Sequence, residues 1–339
     1  MTDYPPLLER AAGLEVLQAL QYGRMPAPRA VERAEELLPE ADGRRLVRLH
    51  AGSWHADVLW HLPPGPGPHP LVIALNFNGN HTTGDDPAVP LPTHPVLEDM
   101  ARGEAAARWP FARLRARGVA VATMCCSQAL VDAPDAAAQD AFPGIRAVFG
   151  RARWADRESD AYGALAAWAW ALSFLRRWFA DRSEIDAARI ACFGHSRLGK
   201  AALLAGALDA GFVRVGATGS GTGGQSPSRK TSDAADAESA ERIQRAFPHW
   251  FCPAFARYAA DPMTLPFDQH QLLAAIAPRP LVLIDGVEDR WADPEGAGRM
   301  ARLAAPAWGS TPGPRWILRA GGHDVLPGDW DAFLDGFAP

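Results

Sequence analysis

Apolar and polar positions change their spacing several times along the chain. Residues 7–42 place leucine and alanine near a 3.6-residue period, which predicts helix with interruptions at Pro26 and Pro28. The pattern then becomes typical of extended chain, and it predicts two strands at about 45–51 and 54–62. The sequence therefore begins with a helical extension that leads into a β-hairpin.

From residue 70 onward, predicted strands alternate with predicted helices. The apolar run 70–76 is continuous, as expected of a parallel strand covered on both faces. Further strands are predicted at 119–124, 189–193, 212–218, 280–285 and 315–319, and helices at 104–117, 160–179, 197–209 and 295–305. This alternation predicts an α/β fold with a mostly parallel sheet and helices on both faces. We expect a helical extension at 1–42 and a single α/β domain at 43–339, with a long insertion at 219–275.

Composition and charge exclude several classes of protein. The net charge is -5 and there is no basic stripe, so nucleic acid is not the expected partner. No window approaches the roughly 20 apolar residues that a membrane span needs. The first residues carry neither a basic region nor an apolar core, so the sequence as written shows no signal peptide. Either the protein stays in the cytoplasm or its leader is missing from this sequence, and the localisation stays open. We expect a monomer.

The four cysteines are irregularly spaced, which argues against a disulfide framework or a structural metal site. We expect buried thiols and no cofactor or metal. Lysine is rare: Lys200 and Lys230 stand among 34 basic residues that are otherwise arginine. A compact ammonium and a rigid guanidinium are not interchangeable. A lysine kept against this bias therefore indicates a position where shape matters, and both lysines are candidate substrate-binding residues.

The strongest chemical signal is the segment that runs from a predicted strand through Gly194-His195-Ser196 into a predicted helix. A strand, a tight Gly-x-Ser turn and a helix form the nucleophile elbow of α/β-hydrolases, which lifts a serine hydroxyl above the sheet edge. The usual glycine two residues after the serine is replaced by Leu198, and Gly199 follows one position later. Ser196 is therefore the candidate nucleophile of an α/β-hydrolase fold.

The other members of a catalytic triad occur in the order that this fold requires. His323 follows the last predicted strand in a glycine-rich loop, where the general base should lie. An acidic residue should follow the strand at 280–285, and the loop there offers both Glu288 and Asp289. Asp289 is the preferred candidate for the triad acid, and Glu288 remains the alternative. A purely structural His323 is the competing interpretation.

Gly194 to Lys200 resembles the Gly-x-Ser-Arg-x-Gly-Lys signature of carbohydrate esterase family 15, the glucuronoyl esterases. The resemblance extends from about residue 70 to 335 and is to members of bacterial type. Further segments that resemble this family lie at 76–82, 247–252, 265–270, 276–280, 291–294 and 323–324. The resemblance implies a serine esterase that cleaves, through an acyl-enzyme, the ester between a (4-O-methyl)glucuronoyl group of xylan and a lignin-type alcohol. Glucuronoxylan or a lignin–carbohydrate ester is then the expected substrate.

The resemblance also implies roles for individual residues. Arg197 matches an arginine that faces the developing oxyanion. Lys200 and Glu238 match residues that hold sugar hydroxyls, and Trp250 matches a tryptophan that lines the sugar site, with a buried core tryptophan as the rival interpretation. Many members carry the acid 23 residues after the serine, where this chain has Gly219, whereas others carry it after the next strand, where Asp289 falls.

Two alternative functions remain open. Beside the glucuronoyl esterase, the first alternative is an esterase of the same fold that acts on another acyl sugar, such as an acetylated xylan, and the second is a non-catalytic carbohydrate-binding descendant. The complete set of triad residues argues against the second alternative, and acetate release without cleavage of glucuronate esters would favour the first.

Overall fold

The computed structural model describes residues 4–150, 153–229 and 237–338. The chain divides into two compact units that are interleaved along the sequence. The first unit contains Met1–Met25, Arg157–Ala169 and Phe193–Asp324. The second unit contains Pro26–Asp156, Trp170–Cys192 and Val325–Pro339.

The second unit is built on a sheet that changes from antiparallel to parallel. Its strands are β1 (Arg33–Ala41), β2 (Arg44–Ala51), β3 (Trp54–His61), β4 (His69–Asn76), β5 (Ala120–Cys125) and β6 (Ile185–His195), the last three residues of which enter the first unit. The strand order is β1-β2-β3-β5-β4-β6. Pairing is antiparallel from β1 through β3 to β5, and β4 is parallel to both of its neighbours. Every residue of β4 and β5 is buried, as their continuous apolar sequences require.

Helices alternate with strands along the chain, as the sequence pattern predicts. The second unit contains α2 (Phe111–Ala116), α3 (Ala136–Ala141), α4 (Arg146–Phe149), α11 (Pro327–Leu334) and most of α5 (Ala164–Ala180). The helix predicted at 104–117 is shorter in the structure, where only a 3-10 turn at Ala106–Arg108 and helix α2 form.

The first unit contains the parallel strands β7 (Arg214–Thr218), β8 (Leu281–Gly286) and β9 (Arg315–Arg319), with β8 paired to both of the others. Its helices are α1 (Arg10–Leu17), α6 (Ser196–Leu208), α7 (Ala240–Ala246), α8 (Phe255–Ala260), α9 (Gln269–Ala274) and α10 (Pro294–Ala304). Helices α7, α8 and α9 all come from the predicted insertion at 219–275. The predicted α/β architecture with mostly parallel pairing is confirmed.

The helical prediction for residues 7–42 is wrong over its second half. Helix α1 is followed by a π-helical turn at Gln18–Tyr22, and residues 33–41 form strand β1. Leu37 and Leu38 of this strand pack against a small buried cluster of Leu46, Leu59 and Val89. The paired strand β2 offers β1 a ladder of hydrogen bonds, so tertiary pairing overrides the helical preference of Ala-Glu-Glu-Leu-Leu.

Two other expectations can be compared with the described residues. All four cysteines are buried free thiols, which confirms the expectation from their spacing. Within the described ranges, no helix has both the length and the apolar character that crossing a membrane requires.

Candidate active site

The serine of the Gly-x-Ser motif lies at the junction of β6 and α6. Strand β6 ends at His195, and Ser196 begins the helix with a φ of +55°, in the left-handed region that costs energy for a side chain other than glycine. A Cβ on Gly194 would lie 2.2 Å from the carbonyl oxygen of Leu198. A Cβ on Gly199 would lie 2.9 Å from the Cβ of Ser220. The position of α6 that lies too close to its neighbours for a side chain is therefore 199, which explains why Leu198 is tolerated in place of the usual glycine.

A chain of hydrogen bonds connects this serine to a histidine and a carboxylate of the same unit. The Ser196 Oγ lies 2.9 Å from Nε2 of His323, and Nδ1 of His323 lies 2.7 Å from Oδ2 of Asp289. The Asp289 side chain is 2% exposed, and its Oδ1 accepts a hydrogen bond from the Ala292 amide at 3.2 Å. A carboxylate at Nδ1 holds the proton there and leaves Nε2 free to accept the serine proton. The geometry is that of an activated nucleophile.

The neighbouring acids are engaged in other ways. Glu288 is exposed and uses its backbone amide to contact the carbonyl of Gly321. Asp293 caps α10 by accepting a hydrogen bond from the Gly296 amide at 3.0 Å, as its position before Pro294 predicts. The structure thus places Asp289, not Glu288, against the histidine.

Gly219 occupies a position that faces the same histidine. A Cβ at this residue would lie 3.2 Å from Nδ1 of His323 and 3.1 Å from Oδ2 of Asp289. Its φ of +54° also favours glycine. The space that a carboxylate at 219 would need is therefore filled by the carboxylate of Asp289, so the two positions offer alternative routes to one nitrogen atom.

Lys200 lies one helical turn after Ser196 and is buried. Its Nζ donates to the carbonyl oxygens of Ser220 and Thr222 at 2.6 and 2.7 Å, and to Oε2 of Glu238 at 3.0 Å. Burial lowers the pKa of the Lys200 ammonium, and the Glu238 carboxylate opposes this effect. Because the three N–H groups already have protein acceptors, a sugar hydroxyl would have to replace one of them. Substrate binding by Lys200 and Glu238 stays a prediction.

Trp250 has features of a buried core residue and features of a residue that lines the sugar site. Its side chain is buried, with 2% of the residue exposed, as a core tryptophan would be. Its ring centroid nevertheless lies 4.7 Å from the Arg197 guanidinium carbon and 5.7 Å from the Lys200 ammonium. Arg197, Lys200 and Trp250 are therefore neighbours, and Lys230 lies outside the described residues.

A buried carboxyl that no sequence motif marks lies near the end of β8. Oδ2 of Asp285 accepts hydrogen bonds from Gln225 Nε2 at 2.7 Å and from Trp316 Nε1 at 3.0 Å. Burial raises the pKa of Asp285 to about 7, and hydrogen bonds from Trp316 and Gln225 limit the rise. Gln225 also bonds to Ser220, which closes the glycine-rich turn that supplies the acceptors for Lys200. The acidic residue at a strand end was visible in the sequence, but its partners lie 60 and 31 residues away.

The elbow, the serine–histidine–aspartate chain and the parallel α/β architecture define a serine hydrolase of the α/β-hydrolase fold. A family model for fungal glucuronyl esterases matches residues 156–310. A carbohydrate esterase designated MZ0003, from an unknown prokaryotic organism, is 32% identical over 95% of this chain and 82% of that protein. The chain belongs to carbohydrate esterase family 15, the glucuronoyl esterases, as its motifs predicted.

Solved structures support the same assignment. A glucuronoyl esterase from Solibacter usitatus aligns with a TM-score of 0.84 and 31% identity, covering 97% of this chain and 91% of that one. A structure described as a promiscuous esterase of family 15, from a marine bacterial metagenome, aligns with a TM-score of 0.81, 31% identity and the same coverage. The catalytic domain of the Hypocrea jecorina enzyme, at 22% identity and a TM-score of 0.69, shares the fold.

Proposed function

We propose that this chain hydrolyses the ester between a (4-O-methyl)glucuronoyl group of xylan and a lignin-type alcohol, through an acyl-enzyme on Ser196. The observation that carries the proposal is the hydrogen-bonded chain from Ser196 through His323 to the buried Asp289. The choice of acyl group is supported by relatives named glucuronoyl esterase and 4-O-methyl-glucuronoyl methylesterase, the latter 35% identical over 44% of this chain and 34% of that protein.

In the first half of the reaction, His323 Nε2 takes the proton of Ser196 as Oγ attacks the ester carbon. The carbonyl oxygen becomes an oxyanion, and the Asp289 carboxylate stabilises the imidazolium that forms. When the tetrahedral intermediate collapses, the C–O bond to the alcohol breaks and Nε2 donates its proton to the departing oxygen. The products of this half are a free alcohol and an ester between Ser196 and the uronic acid.

In the second half, a water molecule repeats the same steps. His323 takes a proton from the water as its oxygen attacks the acyl carbon, and the bond to Ser196 Oγ then breaks. The proton held at Nε2 returns to Ser196, and the uronic acid leaves. The side chain of Asp289 keeps the imidazole in one orientation throughout.

Arg197 is the residue that we assign to the oxyanion. It follows the nucleophile directly, and its guanidinium is a cation with N–H donors in a fixed planar arrangement. A fixed positive group beside the reacting carbonyl stabilises charge that develops only in the transition state, which raises kcat rather than tightening substrate binding. We assign the binding of the sugar ring to Lys200, Glu238 and Trp250, with Lys230 as a further candidate.

A second candidate function follows from the burial of this binding region. Lys200 already has three protein acceptors and Trp250 is almost fully covered. A binding region that is enclosed in this way also suits a smaller acyl group, such as the acetyl group of an acetylated sugar. The two candidates share their chemistry and differ only in the acyl group.

A comparison of two esters by the purified protein separates the candidates. The proposal predicts that kcat/KM for benzyl glucuronate exceeds that for benzyl acetate, which has the same alcohol, by about 100-fold or more, because the sugar ring adds binding energy to the transition state. Acetylated xylan serves as the polymeric control. Efficient acetate release with no detectable cleavage of benzyl glucuronate would assign the second function instead.

A further inference from the structure

Two aromatic rings form a stacked pair beside the candidate active site. The centroids of Phe247 and Trp250 lie 4.0 Å apart, and the ring planes differ by 6°. Phe247 directly follows α7, and Trp250 closes the 3-10 turn Pro248–Trp250 by donating its amide to the Phe247 carbonyl at 3.0 Å. In a turn of this type, side chains three residues apart lie on the same side. The backbone between the two residues therefore fixes the stack.

The stacked pair contacts the arginine that follows the nucleophile. The guanidinium carbon of Arg197 lies 5.1 Å from the Phe247 centroid and 4.7 Å from the Trp250 centroid. Both distances fall within the roughly 6 Å range of a cation–π interaction. Arg197 lies in the first turn of α6, where the helix dipole disfavours a positive charge. The guanidinium carbon is almost equally far from the two stacked centroids, so it lies beside the stack, and contact with both rings holds it at this position.

We propose that Phe247 is a positioning residue that holds the Arg197 guanidinium in place for the reaction. This inference rests on the oxyanion role of Arg197 in the proposed function. An arginine side chain has several rotatable bonds, and a donor that is not fixed before the reaction stabilises the oxyanion poorly. Trp250 is buried and also faces Lys200, whereas Phe247 is half-buried and supplies the second ring contact of Arg197. Removing the Phe247 ring therefore removes one of the two ring contacts that restrict the guanidinium.

Steady-state kinetics of single and double variants test this role. Phe247→Leu should lower kcat about three- to tenfold with KM within about twofold of wild type, because the contact matters in the transition state. Phe247→Tyr keeps the ring and should stay within about twofold of wild type. In an Arg197→Met background, Phe247→Leu should change kcat by less than about twofold, since the cation on which it acts is gone.

The outcomes are distinct from those of the substrate comparison. The kinetics use whichever ester the wild-type enzyme cleaves faster, so a preference for acetate would overturn the proposed substrate and leave this test intact. Equal losses from Phe247→Leu in the two backgrounds would overturn the inference, as would an Arg197→Met enzyme with unchanged kcat. If Phe247→Leu does not fold, as judged by thermal melting, Phe247→Met removes the ring with a longer side chain and takes its place.

Phe251→Leu provides the matched control. Phe251 is a fully buried ring of the same segment whose centroid lies 6.5 Å from that of Trp250, and it packs against Tyr22 and Phe255. Its substitution should lower the melting temperature and change kcat by the same factor with or without Arg197. A coupling between Phe251 and Arg197 as large as that of Phe247 would indicate general loosening of the segment and would contradict the proposed role.

Discussion

Replacing Asp289 by asparagine tests the part of the site that the sequence left ambiguous. The substitution keeps the size of a side chain that is 2% exposed and removes the carboxylate 2.7 Å from Nδ1 of His323. The amide then favours the tautomer with its proton on Nε2, which cannot accept the proton of Ser196. The same substitution in a serine protease costs about 10⁴-fold in kcat. We expect a loss of about 10²–10⁴-fold, or about 2.7–5.5 kcal/mol of transition-state stabilisation.

The assay is kcat for benzyl glucuronate across pH, with Glu288→Gln as the matched control. Glu288 is the next residue in the same loop, and its side chain is exposed. Its amide variant should therefore stay within about twofold of wild type, as is usual for a surface substitution. A larger loss from Glu288→Gln than from Asp289→Asn would refute the reasoning and move the triad acid by one residue. Thermal melting of both variants excludes unfolding as the cause.

Three further predictions concern residues around the triad. Gly219→Ala should lower kcat about three- to tenfold, because a Cβ 3.1–3.3 Å from Asp289 and His323 requires them to shift by a few tenths of an ångström. Steady-state kinetics of a variant with an unchanged melting temperature check this, and a kcat equal to that of wild type would contradict it. Glu238→Gln should lower the free energy of unfolding by about 3–5 kcal/mol, because it leaves the buried Lys200 ammonium without its counter-ion. A urea titration measures this loss, and adding Lys200→Met should recover part of it. In the native state Asp285 keeps its proton up to a pKa of about 7, whereas the unfolded chain releases it near pH 4. As the pH rises from about 4 to about 7, the free energy of unfolding of wild type should therefore fall relative to that of Asp285→Asn, by at most about 1.4 kcal/mol per pH unit. Urea midpoints of the two proteins that differ by the same amount at pH 5 and at pH 7 would contradict this.

Local signals in the sequence were sufficient for the parallel strands and the elbow. Strand β4 is a continuous apolar run, and the turn at Ser196 is marked by a strand, a Gly-x-Ser motif and a helix in close succession. The segment 33–41 was misjudged because its helix-forming residues are held as an edge strand by pairing with β2. The pairing with β2 can be recognised only when the register of the hairpin is known, so helix propensity alone predicts the wrong secondary structure for this segment.

For the site, chain order predicted the residues but not all of their contacts. The order Ser196, Asp289, His323 identified the three side chains that the structure brings together. The choice between Asp289 and Glu288 depends on which way a turn points its side chains, and a one-residue shift reverses that direction. The enclosure of Lys200 by carbonyl oxygens was also invisible, because backbone acceptors leave no mark on residue identity.

Mass spectrometry of the enzyme, quenched during turnover of benzyl glucuronate, tests the central claim most directly. The account predicts a covalent adduct with the mass of one glucuronoyl group, located on the peptide that contains Ser196 and absent from Ser196→Ala. A His323→Ala enzyme, which lacks the base for both half-reactions, should neither form the adduct at a comparable rate nor turn over. Turnover of benzyl glucuronate that persists in Ser196→Ala, or an adduct on a different residue, would contradict the account.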